Sequence, residues 1–168
     1  MKLKDWLDKN YTKEELRNLT YLDCMGEGIT SLEGIEQLTK LEELYCWDNY
    51  LTSLKGIEGL TKLEILDCFD NKLISLKGIE QLINLKGILC HNNELTSLKG
   101  IEKLAKLKRL DCSHNNLTSL KGIENLDKLE ELYCHTNPLP YSDLYNFTKI
   151  KLEVIKEVRQ YKIKNLFL

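Results

Sequence analysis

The sequence predicts a single α/β solenoid of short parallel strands, closed at each end by a helical cap. Three observations support this prediction: leucine occupies 34 of the 168 positions, the leucines recur with a period of 22, and helix signals flank the repeats. A fixed period of roughly 20 to 50 residues is typical of stacked repeat units. We therefore divide the chain into an N-terminal helical cap at residues 1–18, six repeats at residues 19–139 and a C-terminal helical cap at residues 140–168.

Each repeat follows the pattern L-x-x-L-x-C-x-x-N-x-L-x-x-L-x-G-I-x-x-L-x-x. The copies begin at Leu19, Leu41, Leu63, Leu85, Leu107 and Leu129. Apolar and polar residues alternate within L-x-x-L-x-C, which is the period of a half-buried strand, so the leucine and cysteine side chains should point into the core. Positions within a repeat are numbered from its first leucine below.

This pattern resembles the leucine-rich repeat family, and it is most similar to the internalin-like bacterial class with 22-residue repeats. The resemblance implies a right-handed horseshoe with one short parallel strand per repeat on the concave side. It also implies turns or short helical segments on the convex side. For function it implies only a tendency to bind other macromolecules.

The six cysteines all occupy position 6 and should therefore form an inward-facing column of reduced thiols. They are Cys24, Cys46, Cys68, Cys90, Cys112 and Cys134. A buried free cysteine behaves as a small apolar side chain, and the sequence has no C-x-x-C motif for metal or redox chemistry. Free thiols, together with an N-terminus that lacks the apolar run of a secretory signal, lead us to expect a cytoplasmic location.

Asparagine and glycine recur at two further positions, and both are expected to be structural. Asparagine at position 9, from Asn49 to Asn137, can bond the turn backbone through both its amide and its carbonyl. Glycine at position 16, from Gly34 to Gly122, suits a turn that needs a positive φ.

Both flanks of the repeats carry helix signals that predict caps, because a solenoid exposes core leucines at its ends. Thr12 and Glu15 have the spacing of a capping box at the start of a helix. Apolar residues recur at helical spacing near the C-terminus and predict an amphipathic helix over residues 142–162. These residues are Phe147, Ile150, Val154, Val158 and Tyr161.

The outward positions 3, 5, 7 and 8 of the predicted strands form the concave face, which a partner would contact. Large apolar and aromatic side chains gather there on the first four repeats: Tyr21, Met25, Tyr45, Trp47, Ile65, Phe69 and Leu89. Such residues are enriched in the cores of protein interfaces, and the fold does not need them on an outer surface. We predict a partner-binding site here; the alternative explanations are cross-strand stacking and cover by the N-terminal cap.

The same face is acidic, with seven acids and one arginine, Arg109, at its outward positions. The acids are Asp23, Glu43, Asp48, Asp67, Asp70, Asp111 and Glu131. The whole chain has a net charge of only −2, so negative charge is concentrated on this face. This concentration of negative charge would favour binding of a basic partner.

The three histidines, His91, His114 and His135, fall on neighbouring strands near one another. Adjacent strands lie about 4.8 Å apart, so a metal site is conceivable from this spacing. Ordinary surface or partner contacts are the favoured explanation of the histidines, and we expect no metal and no cofactor.

The sequence contains no G-x-S-x-G motif and no phosphate-binding glycine loop, and we expect no enzyme activity. The first hypothesis is a monomeric protein-binding module with a basic and apolar partner, and with no contact to nucleic acid or membrane. The alternative is an inhibitor from a phage or other mobile element, similar to an anti-CRISPR protein, whose acidic face would block a nuclease or another nucleic-acid-binding protein.

Overall fold

The computed structural model describes residues 1–139 and 150–151. Within them one seven-stranded sheet runs in chain order. Its strands are β1 (Tyr21–Asp23), β2 (Glu43–Tyr45), β3 (Ile65–Asp67), β4 (Gly87–Leu89), β5 (Arg109–Asp111), β6 (Glu131–Tyr133) and β7 (Ile150–Lys151). The first six strands are parallel, and each residue pairs with the one 22 positions later, as Tyr21 does with Glu43. The predicted solenoid of repeats is confirmed, and identical repeat positions lie side by side across the sheet.

The core is a stack of leucine and isoleucine layers with a cysteine column beside the strands. Leu41, Leu44 and Cys46 of the second repeat are completely buried, and their counterparts in the other repeats are nearly so, except that Leu19 of the first repeat is only partly buried. All six cysteines are buried and free, as predicted. Burial raises the pKa of every one of these thiols, so the reactive thiolate is suppressed at neutral pH.

The asparagine column ties each repeat to the one before it, as predicted. Oδ1 of Asn93 accepts a hydrogen bond from the Leu73 N–H (2.9 Å). Its Nδ2 donates to the carbonyl oxygens of Cys68 (3.0 Å), Cys90 (3.2 Å) and His91 (3.2 Å). The first repeat has no repeat before it to bond, which explains why Glu27 can stand at this position.

The convex side turns at the recurring glycines, whose φ angles of 100° to 114° fall in the region that favours glycine. Short 3-10 helices follow three of them, at Ile35–Gln37, Ile57–Gly59 and Ile123–Asn125. The glutamate two residues after each glycine accepts a hydrogen bond from the glycine N–H, as between Gly78 and Glu80 (2.8 Å). Sequence reasoning did not anticipate this role for the glutamates.

The N-terminal cap consists of α1 (Leu3–Asn10) and α2 (Lys13–Asn18). Thr12 and Glu15 form the predicted capping box, in which the Thr12 N–H donates to Glu15 Oε2 at 2.7 Å. Leu3, Leu7 and Leu16 are buried against the core. The predicted cover of the first repeat is therefore confirmed. Within the described part of the chain, no helix is long and apolar enough to span a membrane.

The C-terminal prediction is wrong at Ile150 and Lys151, which form β7 where a helix was predicted. Strand β7 pairs antiparallel with β6, with Leu132 opposite Ile150. The last strand of a parallel sheet leaves a row of unpaired backbone groups, and pairing with β7 satisfies some of them. The rest of the helix predicted over residues 142–162 lies outside the described residues.

Candidate functional site

The concave face is built by the sheet register, which aligns the outward residues of successive strands in rows. Position 5 gives one such row, in which Tyr45, Asp67, Leu89 and Asp111 lie on successive strands. Position 7 gives a parallel row of side chains just beyond the strands. The chemistry of the face therefore depends on neighbours that are 22 residues apart in the sequence.

Three aromatic rings of the position 7 row form a continuous stack, which we call the ring stack: Trp47, Phe69 and His91. The Trp47 and Phe69 ring centroids are 4.8 Å apart, and the Phe69 and His91 centroids are 4.4 Å apart. In each pair the angle between the two ring planes is only 10°. Cross-strand stacking, the alternative considered above, does occur. All three rings nevertheless remain half-exposed, so they form a rigid apolar surface that a partner can contact.

The first two strands add exposed apolar area beside the ring stack. Met25 is 45% exposed and Tyr21 is 50% exposed. Tyr21 packs on Tyr45 with ring centroids 5.3 Å apart, and the Tyr45 hydroxyl donates to Glu43 Oε2 at 2.9 Å. This hydrogen bond to the glutamate, together with burial, raises the pKa of Tyr45 to about 12.

Asp67 differs from the exposed acid expected at its position, because its side chain is buried with only 7% exposed. Burial raises the pKa of Asp67 to about 6, while the N–H of Phe69 and the charge of Arg109 oppose that rise only in part. Oδ1 of Asp67 is buried and has no hydrogen-bond partner. The carboxylate is therefore held in an unfavourable environment.

Asp111 lies two strands away from Asp67 and has more polar neighbours. Its Oδ1 accepts hydrogen bonds from the Ser113 N–H (3.1 Å) and from the Ser113 hydroxyl (2.6 Å). Its Oδ2 lies 3.6 Å from Nδ1 of His91, and that nitrogen is buried without a hydrogen-bond partner. Half-buried Leu89 lies between the two aspartates in the row.

Asp48 and Asp70 are exposed, but the structure gives position 8 a backbone role that the sequence analysis missed. The φ angles of Asp48 and Asp70 are 52° and 49°, and the same position is left-handed in every repeat from Gly26 to Thr136. Aspartate, asparagine and glycine tolerate this conformation best. The acids at this position therefore serve the turn as well as the charge of the face.

Arg109, the cation of the face, is held by its neighbours on β6. Its guanidinium lies 3.1 Å from Glu131 Oε2 and 5.2 Å from the centre of the Tyr133 ring. On the opposite side of Arg109, strand β4 carries Gly87, which has no side chain. A Cβ added at Gly87 would lie 3.1 Å from Cδ1 of Ile65. Half-buried Ile65 thus borders a shallow part of the face.

The structure does not bring the three histidines together. His114 and His135 meet edge to face with ring centroids 5.0 Å apart, whereas His91 stacks on Phe69. Across residues 1–139 no three histidine, cysteine or acidic side chains are grouped so as to hold a metal ion. The histidine metal site is therefore not supported by the geometry.

Comparisons with known proteins agree with this architecture. The model of the family described as leucine rich repeats (2 copies) matches residues 39–82 and 105–149, which together make up more than half of the chain. Among solved structures, an internalin, InlF, from Listeria monocytogenes is 26% identical with a TM-score of 0.75. That alignment covers 84% of this chain and 44% of the internalin chain, so the chain spans less than half of that structure. Comparison with curated proteins gives no significant match. The chain belongs to the leucine-rich repeat family, with repeats of the internalin type.

Proposed function

We propose that the chain is a protein-binding module whose concave face binds a protein surface that is both basic and apolar. The observation that supports this most strongly is the ring stack. Trp47, Phe69 and His91 are aligned before any partner binds, so little conformational freedom is lost on association. Leucine-rich repeat proteins of this type commonly serve as protein-binding scaffolds, which is consistent with this use of the face.

The size of the face fits such a partner. Six parallel strands at a spacing of about 4.8 Å give a surface somewhat under 30 Å long, enough for an interface of about 800 Å² on each side. The partner's apolar residues would cover the ring stack and Met25, and its basic residues would face the aspartates. The charge of the face would accelerate association with a basic partner and orient it.

Two further expectations belong to this proposal. The six buried free thiols are compatible with a reducing compartment such as the cytoplasm. Binding of the partner to one continuous face is also compatible with a monomer.

A selection from a displayed library of random peptides tests the proposal. We expect the protein to select peptides that combine arginine or lysine with aromatic residues. The double variant Trp47→Ala/Phe69→Ala should lose at least about 2 kcal/mol of binding free energy toward them, as anchor residues do. The matched control is Tyr50→Ala: Tyr50 is 57% exposed but lies outside the concave face, beneath Lys72 (5.5 Å).

Two results would contradict the proposal. One is selected peptides that bind the double variant as well as the native protein. The other is equal loss of binding in the Tyr50→Ala control. A full-length partner identified from such peptides would also decide the inhibitor hypothesis, which requires that this partner be a nuclease or another nucleic-acid-binding protein.

A further inference from the structure

We propose that Asp67 and Asp111 together form a binding site for an arginine side chain of the partner. We call these two residues the paired-carboxylate site. The inference rests on the proposed function, because it names the chemical group that the concave face recognises.

The first argument is the unused hydrogen-bond acceptor of Asp67. Its side chain is 7% exposed, and Oδ1 has no hydrogen-bond partner. Buried polar atoms in proteins are nearly always paired, so an unpaired carboxylate oxygen calls for an explanation. Asp67 alternates with the core residues Leu66 and Cys68 and therefore faces the concave side. A donor that arrives with a partner would approach the carboxylate from that side.

The second argument is the position of Asp111. Asp67, Leu89 and Asp111 are aligned on β3, β4 and β5, so the two aspartates flank one apolar residue. The negative charge of Asp111 raises the pKa of Asp67 further, which shows that the two carboxylates repel each other. A cation placed between them would relieve this repulsion at Asp67.

The distance between the strands suits a guanidinium. Backbones two strands apart are separated by about 10 Å in a parallel sheet. A guanidinium donates from two sides, each hydrogen bond being about 2.8 Å long, so it can bridge two carboxylates on strands separated by this span. The aliphatic part of the arginine would then lie on Leu89.

Arg109, the arginine of the concave face, does not occupy the site. Arg109 is engaged by Glu131 and Tyr133 on the far side of β5. Its charge lowers the pKa of Asp67, yet the net effect of the surroundings remains a rise to about 6. The contact with Glu131 and Tyr133 also shows that this face binds an arginine by combining a carboxylate with a flat ring.

The neighbouring rings favour arginine over lysine. His91 stacks on Phe69 and its Nδ1 lies 3.6 Å from Asp111, so the ring stack borders the paired-carboxylate site. A guanidinium is planar, stacks on rings and donates in a fork, whereas an ammonium is a compact and strongly hydrated point charge. A metal ion is a weaker candidate, since no group of three ligating side chains occurs within residues 1–139.

The probe for the test is N-acetyl-arginine amide, with the citrulline and lysine amides as controls. Citrulline keeps the shape of arginine without its charge. Backbone NMR signals of β3, β4 and β5 should shift in a saturable manner with the arginine probe. Its affinity should exceed that of either control by about 10-fold, the difference expected for a charge-assisted hydrogen bond.

Two variants assign the binding to the named residues. Asp67→Asn keeps the shape of the side chain and should lower the affinity for the arginine probe by about 10-fold or more, as should Asp111→Asn. The matched control Asp70→Asn removes an exposed acid from the same face and should change the affinity by less than about twofold. Unchanged signals outside β3–β5 would verify that each variant is folded.

The proposal is overturned by an absence of saturable shifts, by equal affinity for arginine and either control, or by unchanged affinity in Asp67→Asn. Its failure is distinguishable from failure of the proposed function. Selected peptides that require Trp47 and Phe69 but bind Asp67→Asn normally would retain the protein-binding face and reject the arginine site. Binding of the arginine probe at Asp67 without any selected peptide would support the arginine site alone.

Discussion

Replacing Asp67 with asparagine should stabilise the protein at neutral pH and change its stability little at acidic pH. The buried carboxylate lacks a partner for Oδ1. Removing its charge while keeping its shape therefore removes a desolvation penalty without opening a cavity.

The magnitude follows from the pKa, which the folded structure raises from 3.8 to about 6. Between these pH values the folded state holds a proton that the unfolded state has lost, so native stability falls as the pH rises through this window. At about 1.4 kcal/mol per pKa unit, the full penalty above pH 6 amounts to about 3 kcal/mol. It vanishes at a pH below 3.8, where both states are protonated.

Chemical denaturation of the native protein and of Asp67→Asn at a series of pH values measures this difference. The two stability curves should meet near pH 3.5 and separate by about 3 kcal/mol at pH 8, which corresponds to roughly 6 to 12 °C in melting temperature. Asp70→Asn is the control, because it removes one acid from an exposed position of the same face. It reports the general effect of one charge on the stability of the protein.

Parallel curves for the native protein and Asp67→Asn would refute this reasoning, since they would show that Asp67 ionises normally in the fold. Equal separation of the Asp70→Asn curve would also refute it. The effect would then belong to the charge of the whole face and not to the burial of one carboxylate.

Three further predictions concern the repeat framework. Thr136→Asn should raise the melting temperature by about 2 to 4 °C, because a β-branched residue is disfavoured at the φ of 55° that Thr136 adopts. Asparagine already holds the same position of another repeat, where Asn92 has a φ of 51°. No change in thermal unfolding would contradict this prediction. Asn93→Ala should lower the free energy of unfolding by about 1 to 3 kcal/mol, since it leaves the buried Leu73 N–H unpaired and removes one of the two amide hydrogen bonds that the Cys68 carbonyl accepts. Asn71→Ala, at a half-exposed position, should cost less, and equal losses in denaturant titrations would count against the burial argument. Thiol titration of the native protein should be slow and should reach all six cysteines only after unfolding, because burial raises each thiol pKa; rapid native labelling would disprove it.

The repeat made the framework predictable because each framework residue faces the same environment in every copy. Position 6 is cysteine in all six repeats and position 16 is glycine in five, and the structure buries the first and turns at the second. The asparagine bonds could be anticipated for the same reason. Each of these roles depends on a backbone geometry that the period itself reproduces.

The concave face was only partly predictable, because its side chains depend on neighbours that differ from strand to strand. Asp67 and Asp70 belong to the same repeat and were both expected to be exposed, yet only Asp70 is. Asp67 lies between Tyr45 and Leu89 in the sheet, whereas Asp70 lies in a left-handed turn beyond the strand. His91 joined Phe69 instead of the other histidines for a similar reason, since stacking depends on the ring beside it.

The sequence by itself therefore determined the solenoid, its inward residues and the N-terminal cap, all of which follow from periodicity and local hydrogen bonding. Only the tertiary structure decided which outward acids are buried and which rings stack, and that Ile150 and Lys151 pair with β6. The physical reason is that burial, ring contact and strand pairing arise between residues that are distant in the chain. No local pattern specifies the surroundings that the fold gives to such residues.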